Sequence, residues 1–110
     1  MVKYRTRIEI MADILRLAAA DGGVKKTYIM YEANLSHKLL NEYLDWLLKE
    51  DMLSVEKESK RNSYRKTAYG SKVELRIIEY LRDEEKVRQN IEDLKEERKA
   101  LEREYGLQVK

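Results

Sequence analysis

Apolar residues repeat at helical spacing along the first part of the chain. Between residues 5 and 20 they recur every three or four positions, which predicts one amphipathic helix. The predicted buried stripe of this helix consists of Ile8, Met11, Ala12, Leu15 and Ala18, with Ile14 beside it. Gly22 and Gly23 then break the pattern, and Val24 follows as a candidate short strand.

Two closely spaced helical segments form the centre of the chain. Residues 25–33 predict a short helix, and residues 37–50 predict a longer one. The apolar positions of the longer helix are Leu39, Leu40, Tyr43, Leu44, Leu47 and Leu48. Between the two, Asn34 tolerates the left-handed backbone that ends helices, and Ser36 can accept a hydrogen bond from the next helix. This spacing predicts a helix-turn-helix, whose second helix can enter a DNA major groove.

A candidate hairpin follows the second of these helices. Residues 53–56 alternate apolar and polar like a strand, residues 58–62 are polar and basic, and residues 63–67 can return as a second strand. A hairpin in this position is the wing of a winged helix. Without it, two helices of an ordinary all-α domain would be the better explanation of the central segment.

The last part of the chain predicts one long helix, beginning near Thr67 or near Ser71, where a capping-box pattern starts. Along one face of this helix, positions recur in alternating steps of four and three, and we call this stripe the seam. Its positions are Val73, Ile77, Tyr80, Glu84, Val87, Ile91, Leu94, Arg98, Leu101 and Tyr105, all of them apolar or tyrosine except Glu84 and Arg98. No Gly or Pro interrupts residues 71–105, and Gly106 suits the position past a helix end. A helix over residues 68–105 would be about 57 Å long. We therefore expect a partner to cover the seam.

Charges on the seam favour an antiparallel pairing of two copies. Glu84 and Arg98 occupy equivalent seam positions, so a parallel dimer would bring each against its own copy. Like charges held close in a partly dry seam are costly. In an antiparallel dimer with its two-fold axis near Ile91, Glu84 of one chain approaches Arg98 of the other. Two domains at opposite ends of such a helix pair would lie about 50 Å apart.

Composition excludes several classes of protein. The 110 residues suffice for one small domain and one extended element. The absence of Cys excludes a disulfide framework and a thiolate metal site, and it fits a cytoplasmic protein. No apolar run approaches the roughly 18 residues of a membrane span, and the N-terminus lacks the apolar core of a signal peptide. No catalytic, cofactor or metal-ligand motif is present, so we expect no enzyme, cofactor, metal or small-molecule ligand.

The net charge of +2 is unevenly divided. Residues 1–70 hold thirteen Lys or Arg against ten Asp or Glu, whereas residues 71–110 hold ten against eleven. Within the first part, residues 57–66 hold five basic residues and one acidic residue. A charged hairpin is usually a solvated loop. Beside a helix-turn-helix, however, this excess predicts contact with the phosphates of double-stranded DNA.

Four groups of residues are candidate DNA contacts: a basic N-terminal arm, the start of the second helix, the first turns of the third helix and the wing tip. They comprise Arg5, Arg7, Lys25, Lys26, Thr27, Tyr28, Ser36, His37, Lys38, Asn41, Lys60, Arg61 and Asn62. Asn can pair with adenine, and Lys can reach guanine or phosphate. Glu42 and Asp45 share a face with these side chains, so we expect contact to be limited to the first two turns. Trp46 is expected in the core or against the last helix.

The sequence TYIMYEANLS at residues 27–36 resembles the T-x-I-M-Y-x-A-N-L-S signature of small archaeal winged-helix DNA-binding proteins. It is most similar to the 10a family of archaeal chromatin proteins. Ile8-Glu9-Ile10, Tyr64 and the T-x-x-G pattern of Thr67 and Gly70 are further matches, whereas Lys66 stands where relatives usually carry an aliphatic residue. The resemblance implies a winged helix followed by a long helix that dimerises as an antiparallel coiled coil. It also favours Thr67 as the start of that helix.

These observations predict a mainly α fold: an α+β winged helix-turn-helix over residues 1–67 and a coiled-coil dimerisation helix over residues 68–110. The expected partners are double-stranded DNA and a second copy of the chain. The leading functional hypothesis is a cytoplasmic, nucleoid-associated DNA-binding protein that organises chromatin or regulates transcription. One alternative is a protein-interaction module that uses the same fold without DNA. Another is a sequence-specific repressor.

Overall fold

The computed structural model describes residues 5–58 and 60–106. Residues 1–4 of the predicted basic arm, Ser59 of the wing and residues 107–110 of the predicted coiled-coil segment lie outside the described residues. The elements are α1 (Arg7–Leu17), β1 (Val24–Lys25), α2 (Lys26–Glu32), α3 (His37–Lys49), β2 (Leu53–Lys57), β3 (Asn62–Lys66) and α4 (Ala68–Tyr105). The predicted fold class is confirmed, since the described residues form a helix-turn-helix, a small sheet and a long last helix.

The chain divides into two compact units, Met1–Ile78 and Glu79–Lys110. The first unit contains the helix-turn-helix, the three strands and the first turns of α4, and the second contains the rest of α4. The predicted domain boundary after Thr67 stays a prediction. The first unit extends eleven residues past that position because the beginning of α4 buries side chains, such as Ile77, within it.

Helix α1 is two residues shorter at its start and three shorter at its end than predicted. Thr6 forms a capping box, in which its Oγ1 accepts from the Glu9 amide at 3.3 Å and the Glu9 carboxylate accepts from the Thr6 amide at 3.0 Å. Ile14 was predicted beside the buried stripe, but it is completely buried, and Leu17 is buried as well. The buried face is therefore wider than the predicted stripe, as expected for a helix that packs into a domain core.

The turn of the helix-turn-helix has the predicted geometry. Asn34 adopts a left-handed backbone with φ of 53°, and Leu35 is buried beneath the turn. The Ser36 hydroxyl accepts a hydrogen bond from the Leu39 amide at 3.1 Å, which satisfies one of the free N–H groups at the start of α3. The helix then buries Leu40, Leu44 and Leu47 along one face. The polar first turns of α3 are thereby held on the outside of the domain.

The three strands form one antiparallel sheet in the order β1-β3-β2. Tyr64 pairs with Val24 on one side and with Val55 on the other, so these three residues share a face of the sheet. Gly23, with φ of 78°, lies against the other face, where a Cβ atom would approach the Ser63 hydroxyl to 2.5 Å. This close approach explains why the break after α1 needs glycine.

Thr67 starts α4. Its Oγ1 accepts from the Gly70 amide at 2.9 Å and donates to the Asp51 carbonyl at 2.7 Å, so one hydroxyl caps α4 and ties it to the end of α3. A Cβ atom at Gly70 would overlap the Met52 carbonyl oxygen. The alternative start at Ser71 is wrong, because Ser71 already lies inside the helix with its amide bonded to the Thr67 carbonyl at 2.9 Å.

The unusual Lys66 forms an ion pair with the first turns of α4. Its Nζ lies 2.5 Å from Glu74 Oε1, and the two side chains are only 16% and 12% exposed. Its Cα partner across the sheet is the buried Leu53, so an aliphatic side chain would suit this position. Glu74 neutralises the charge that Lys66 brings into the junction. The pair therefore takes the place of an apolar contact between β3 and α4.

The prediction that Trp46 is buried is wrong for the single chain, because the residue is 40% exposed. Trp46 is followed by Leu47, which lies about 100° around the helix and points into the core. It stands one turn after Glu42, at the border between the apolar and polar faces of α3. Together with Arg7 and Met11 of α1, it lines an open groove.

The pair at the junction generates a stability prediction. Lys66→Met should destabilise the protein by on the order of 3 kcal/mol, because it leaves the Glu74 carboxylate buried without its cation. The double variant Lys66→Met/Glu74→Leu should recover most of this loss, since an apolar pair of similar volume replaces the ion pair. Chemical denaturation at one fixed protein concentration measures both. A double variant no more stable than Lys66→Met would contradict the assigned role of the pair.

Candidate nucleic-acid interface

The start of α2 and the wing are joined by an ion pair. Lys25, at the end of β1, places its Nζ 2.6 Å from Glu58 Oε2 in the wing. Among the described residues, no side chain caps the start of α2. In its first turn Thr27 and Tyr28 are exposed and Lys26 is half-buried. The structure thus brings one predicted contact group, at the start of α2, next to another, at the wing.

The pairing of β2 with β3 determines which face of the wing each polar side chain lies on. Lys57 pairs with Asn62 across the strands, and by the alternation of strands both lie on the face of Val55 and Tyr64. That face carries the buried side chains of Leu53 and Tyr64 and so faces the core of the first unit, whereas Lys57 at its outer end is exposed. Lys57 was not among the predicted contacts. The apolar alternation of Leu53 and Val55 would have placed it on this face.

The tip of the wing is a short turn that carries two further cations, Lys60 and Arg61. The Glu58 amide donates to the Arg61 carbonyl at 3.0 Å and so closes the turn. Lys60, Arg61 and Asn62 are exposed, as predicted contacts with a phosphate backbone must be. Lys57, Lys60 and Arg61 have no acidic partner within 4 Å among the residues that the structure describes. Their charges are therefore open to an external anion.

The first turns of α3 carry a small polar cluster. The Asn41 amide nitrogen lies 3.2 Å from His37 Nδ1, one helical turn away, and Lys38 is exposed beside them. This contact orients the Asn41 amide before any ligand arrives. Glu42 and Asp45 are exposed further along the helix. The cationic and amide groups are thus concentrated at the N-terminal end of α3, and carboxylates follow.

Arg5 has a structural role in this chain. Its guanidinium lies 2.6 Å from Asp13 Oδ2 and donates to the Ala33 carbonyl and, at 3.4 Å, to the Asn34 carbonyl. A cation at the last carbonyls of α2 interacts favourably with the end of that helix. The DNA contact of Arg5 stays a prediction, because its guanidinium is engaged by Asp13 and the end of α2. Arg7 is exposed at the start of α1.

The solvent exposure of the predicted seam of α4 differs between the two compact units. In the first unit, Ile77 is buried and Val73 is half-buried. In the second unit the apolar seam positions are exposed, and they are Tyr80, Val87, Ile91, Leu94, Leu101 and Tyr105. The Tyr80 hydroxyl donates to Glu84 at 3.0 Å, and this hydrogen bond to a carboxylate raises the pKa of Tyr80. The uncovered part of the seam therefore starts at Tyr80.

Neither a metal site nor a membrane-spanning helix is found in the part of the chain that the structure describes. Over residues 5–58 and 60–106, no group of three or more His, Cys, Asp or Glu side chains could hold a metal ion. Within the same residues, no helix has the combination of length and apolar character that crossing a membrane requires.

Solved structures similar to this chain are DNA-binding proteins and transcriptional regulators. Sso10a-2, a DNA-binding protein from Sulfolobus solfataricus, is 29% identical with a TM-score of 0.69, and the match covers 96% of this chain and 100% of that one. The predicted resemblance to archaeal winged-helix proteins of the 10a type is thereby confirmed.

More distant structures share the fold alone. The PcaV transcriptional regulator from Streptomyces coelicolor is 16% identical with a TM-score of 0.66, over 89% of this chain and 79% of that one. The MepR–DNA complex from S. aureus is 15% identical with a TM-score of 0.60, over 87% and 80%. No curated protein sequence matches the chain at a significant level.

The family assignment rests on the sequence itself. A model of winged helix-turn-helix proteins, which are not enzymes, matches residues 4–86. The matched segment contains both helices of the helix-turn-helix, the wing and the first half of α4. It follows that the chain belongs to the winged helix-turn-helix family.

Proposed function

We propose that this protein is a homodimeric, nucleoid-associated protein of the cytoplasm that binds double-stranded DNA and organises chromatin or regulates transcription. The observation that carries the proposal is a cluster of wing cations with no acidic partner among the described residues, beside the first turns of α3. These cations are Lys57, Lys60 and Arg61. Cations that neutralise phosphates supply essentially all of the non-specific affinity of DNA-binding proteins. The DNA-binding description of Sso10a-2 supports the same function here.

The proposed complex uses two surfaces of the first unit. The first turns of α3 enter the major groove with His37, Lys38 and Asn41, and the wing contacts phosphates beside it. Glu42 and Asp45 oppose deeper insertion, because carboxylates repel the phosphates that line the groove. Few base contacts and many phosphate contacts favour binding that depends little on sequence. This favours a chromatin protein over a regulator of one operator.

The proposed dimer uses the exposed part of the seam. Six apolar side chains along one stripe of the second unit would remain in water in a single chain. In a coiled coil such a stripe is buried against a second helix. Glu84 and Arg98 interrupt the stripe with opposite charges on either side of Ile91, and only an antiparallel pairing brings them toward each other. By symmetry, an antiparallel dimer carries one winged helix at each end of the coiled coil, which suits bridging two duplexes.

A footprint on genomic DNA at physiological salt, together with a salt titration, tests the proposed function. Binding through phosphates must weaken steeply as salt rises, whereas a mainly apolar protein interface need not respond in this way. Extended protection without a preferred sequence would support a chromatin protein, and a short specific footprint would support a regulator. Absence of salt-dependent binding would contradict the proposal and favour a protein-interaction module.

Removing the wing cations should weaken binding to all sequences alike. In Lys60→Ala/Arg61→Ala the salt slope should fall by up to roughly 2, because about one counterion per lost phosphate contact is no longer released. Fluorescence anisotropy at several salt concentrations measures the slope. The matched control, Lys86→Ala/Lys99→Ala, removes the same charge from exposed positions of α4 outside the seam and should leave the slope unchanged. An equal fall in both double variants would refute the assignment of the wing.

The first turns of α3 should govern any sequence preference. Single substitutions His37→Ala, Lys38→Ala and Asn41→Ala should each cost about 1–3 kcal/mol at a preferred site and less on other DNA, because base contacts are lost. Competition titrations of each variant against both kinds of duplex measure the difference. If the cost is the same on every sequence, these residues contact only phosphates, and direct readout by α3 is wrong.

Disulfide trapping in this cysteine-free chain should reveal the orientation of the dimer. A mixture of Tyr80→Cys and Leu101→Cys chains should form mostly mixed pairs in an antiparallel dimer, since these positions lie opposite each other about an axis near Ile91. A single Tyr105→Cys chain should link poorly with itself, because its two copies would lie at opposite ends of the coiled coil. Non-reducing electrophoresis measures both. Efficient self-linking at Tyr105 without mixed pairs would establish a parallel dimer instead.

A further inference from the structure

One ion pair lies inside the proposed DNA-binding surface. Lys25 Nζ and Glu58 Oε2 are 2.6 Å apart, although the two residues are 33 positions apart in the sequence. Lys25 precedes the first residue of α2, and Glu58 is the first residue after β2. Both side chains remain partly exposed, at 36% and 52%. The pair therefore links the start of α2 to the wing and is still within reach of an external charge.

Glu58 lies in a segment rich in cations. It is the single acidic residue between residues 57 and 66, a segment with five basic residues. Its amide donates to the Arg61 carbonyl, which keeps it in the same tight turn as Lys60 and Arg61. Lys57 precedes it directly in β2. A carboxylate in this position occupies space where a DNA phosphate would be attracted.

Stability alone does not account for this carboxylate. An exposed ion pair contributes only about 0–1 kcal/mol to folding, and the wing already has its strand pairing and the Glu58–Arg61 hydrogen bond. In contrast, a negative charge within a phosphate-binding surface opposes association, and Lys25 is withheld from the DNA as long as it is paired. The expected effect of Glu58 on DNA affinity is therefore larger than its effect on the fold.

We propose that Glu58 acts as an internal substitute for a DNA phosphate. In the free protein its carboxylate binds Lys25 and holds the start of α2 against the wing. On binding, a phosphate of the duplex takes over Lys25, and Glu58 is released to solvent. This exchange lowers the affinity and reduces the number of counterions released by about one. The proposal rests on the proposed DNA-binding function and adds a residue that limits it.

The test is the salt dependence of DNA binding by the full chain carrying Glu58→Gln, titrated on a random-sequence duplex. The variant should bind roughly five- to tenfold more tightly at about 100 mM salt, and its slope should be steeper by about 0.9, because Lys25 becomes available to a phosphate. Glu58→Asp keeps the charge and should retain a slope close to that of the original protein. Thermal unfolding of each variant verifies that the fold is kept.

Two further variants separate an exchange at Lys25 from a general change of charge. Glu56→Gln removes the same charge two residues away, from a side chain with no ion pair among the described residues, and should leave the slope unchanged. In a Lys25→Gln background, the Glu58→Gln substitution should no longer steepen the slope. If it still does, or if Glu56→Gln has an equal effect, the exchange is refuted.

The remaining outcomes distinguish this proposal from the function on which it rests. Unchanged or weaker binding by Glu58→Gln, with the original protein binding DNA normally, would show that the pair only positions the wing. That result overturns the exchange and leaves the proposed function intact. If the original protein itself shows no salt-dependent binding to DNA, the proposed function and the exchange are overturned together.

Discussion

The close contact between the start of α4 and the turn after α3 is the constraint on which the first compact unit depends. The Gly70 backbone passes so near the Met52 carbonyl that no side chain fits between them, and Thr67 bonds to Asp51 in the same place. This contact fixes where β3 ends and α4 begins. Because β3 is also the central strand, its end point sets the register of the wing on one side and of β1 on the other. The positions of the wing cations follow from that register.

Elements and their caps could be predicted from the sequence because they depend on neighbours close in the chain. The turn at Asn34 and Ser36 and the end of α4 at Gly106 are both local in this sense. Predictions failed where a distant partner decided the outcome. Glu74 fits a capping box with Ser71 by spacing, yet it pairs with Lys66 across the junction. The prediction for Trp46 failed for a local reason instead, because its place at the border of the apolar face of α3 leaves it partly exposed.

In the candidate site too, features set by nearby residues could be predicted, whereas contacts with distant residues could not. Clustering of basic residues at the wing is visible in composition, and strand alternation adds Lys57 to the outer end of the face that carries Leu53 and Tyr64. Arg5 looked equivalent to the other cations, but its guanidinium reaches a carbonyl 28 positions away and closes the end of α2. Sequence spacing could not predict that contact, since it forms only when α1 and α2 pack together. The sequence thus gives the charge of a side chain, whereas the fold determines whether that charge is free to contact DNA.

The proposed bridging dimer gives a physical reason for a carboxylate within the proposed DNA-binding surface. Two winged helices joined by one coiled coil bind with an effective concentration that multiplies their individual affinities. Strong binding by each unit would then make the dimer nearly irreversible on a long duplex. In the proposed complex, the carboxylate of Glu58 would weaken the binding of each unit, and Glu42 and Asp45 of α3 would do the same where they approach phosphates. Weak single contacts that become strong only in pairs allow one end to dissociate and rebind, so that a bridge can move along DNA without being lost.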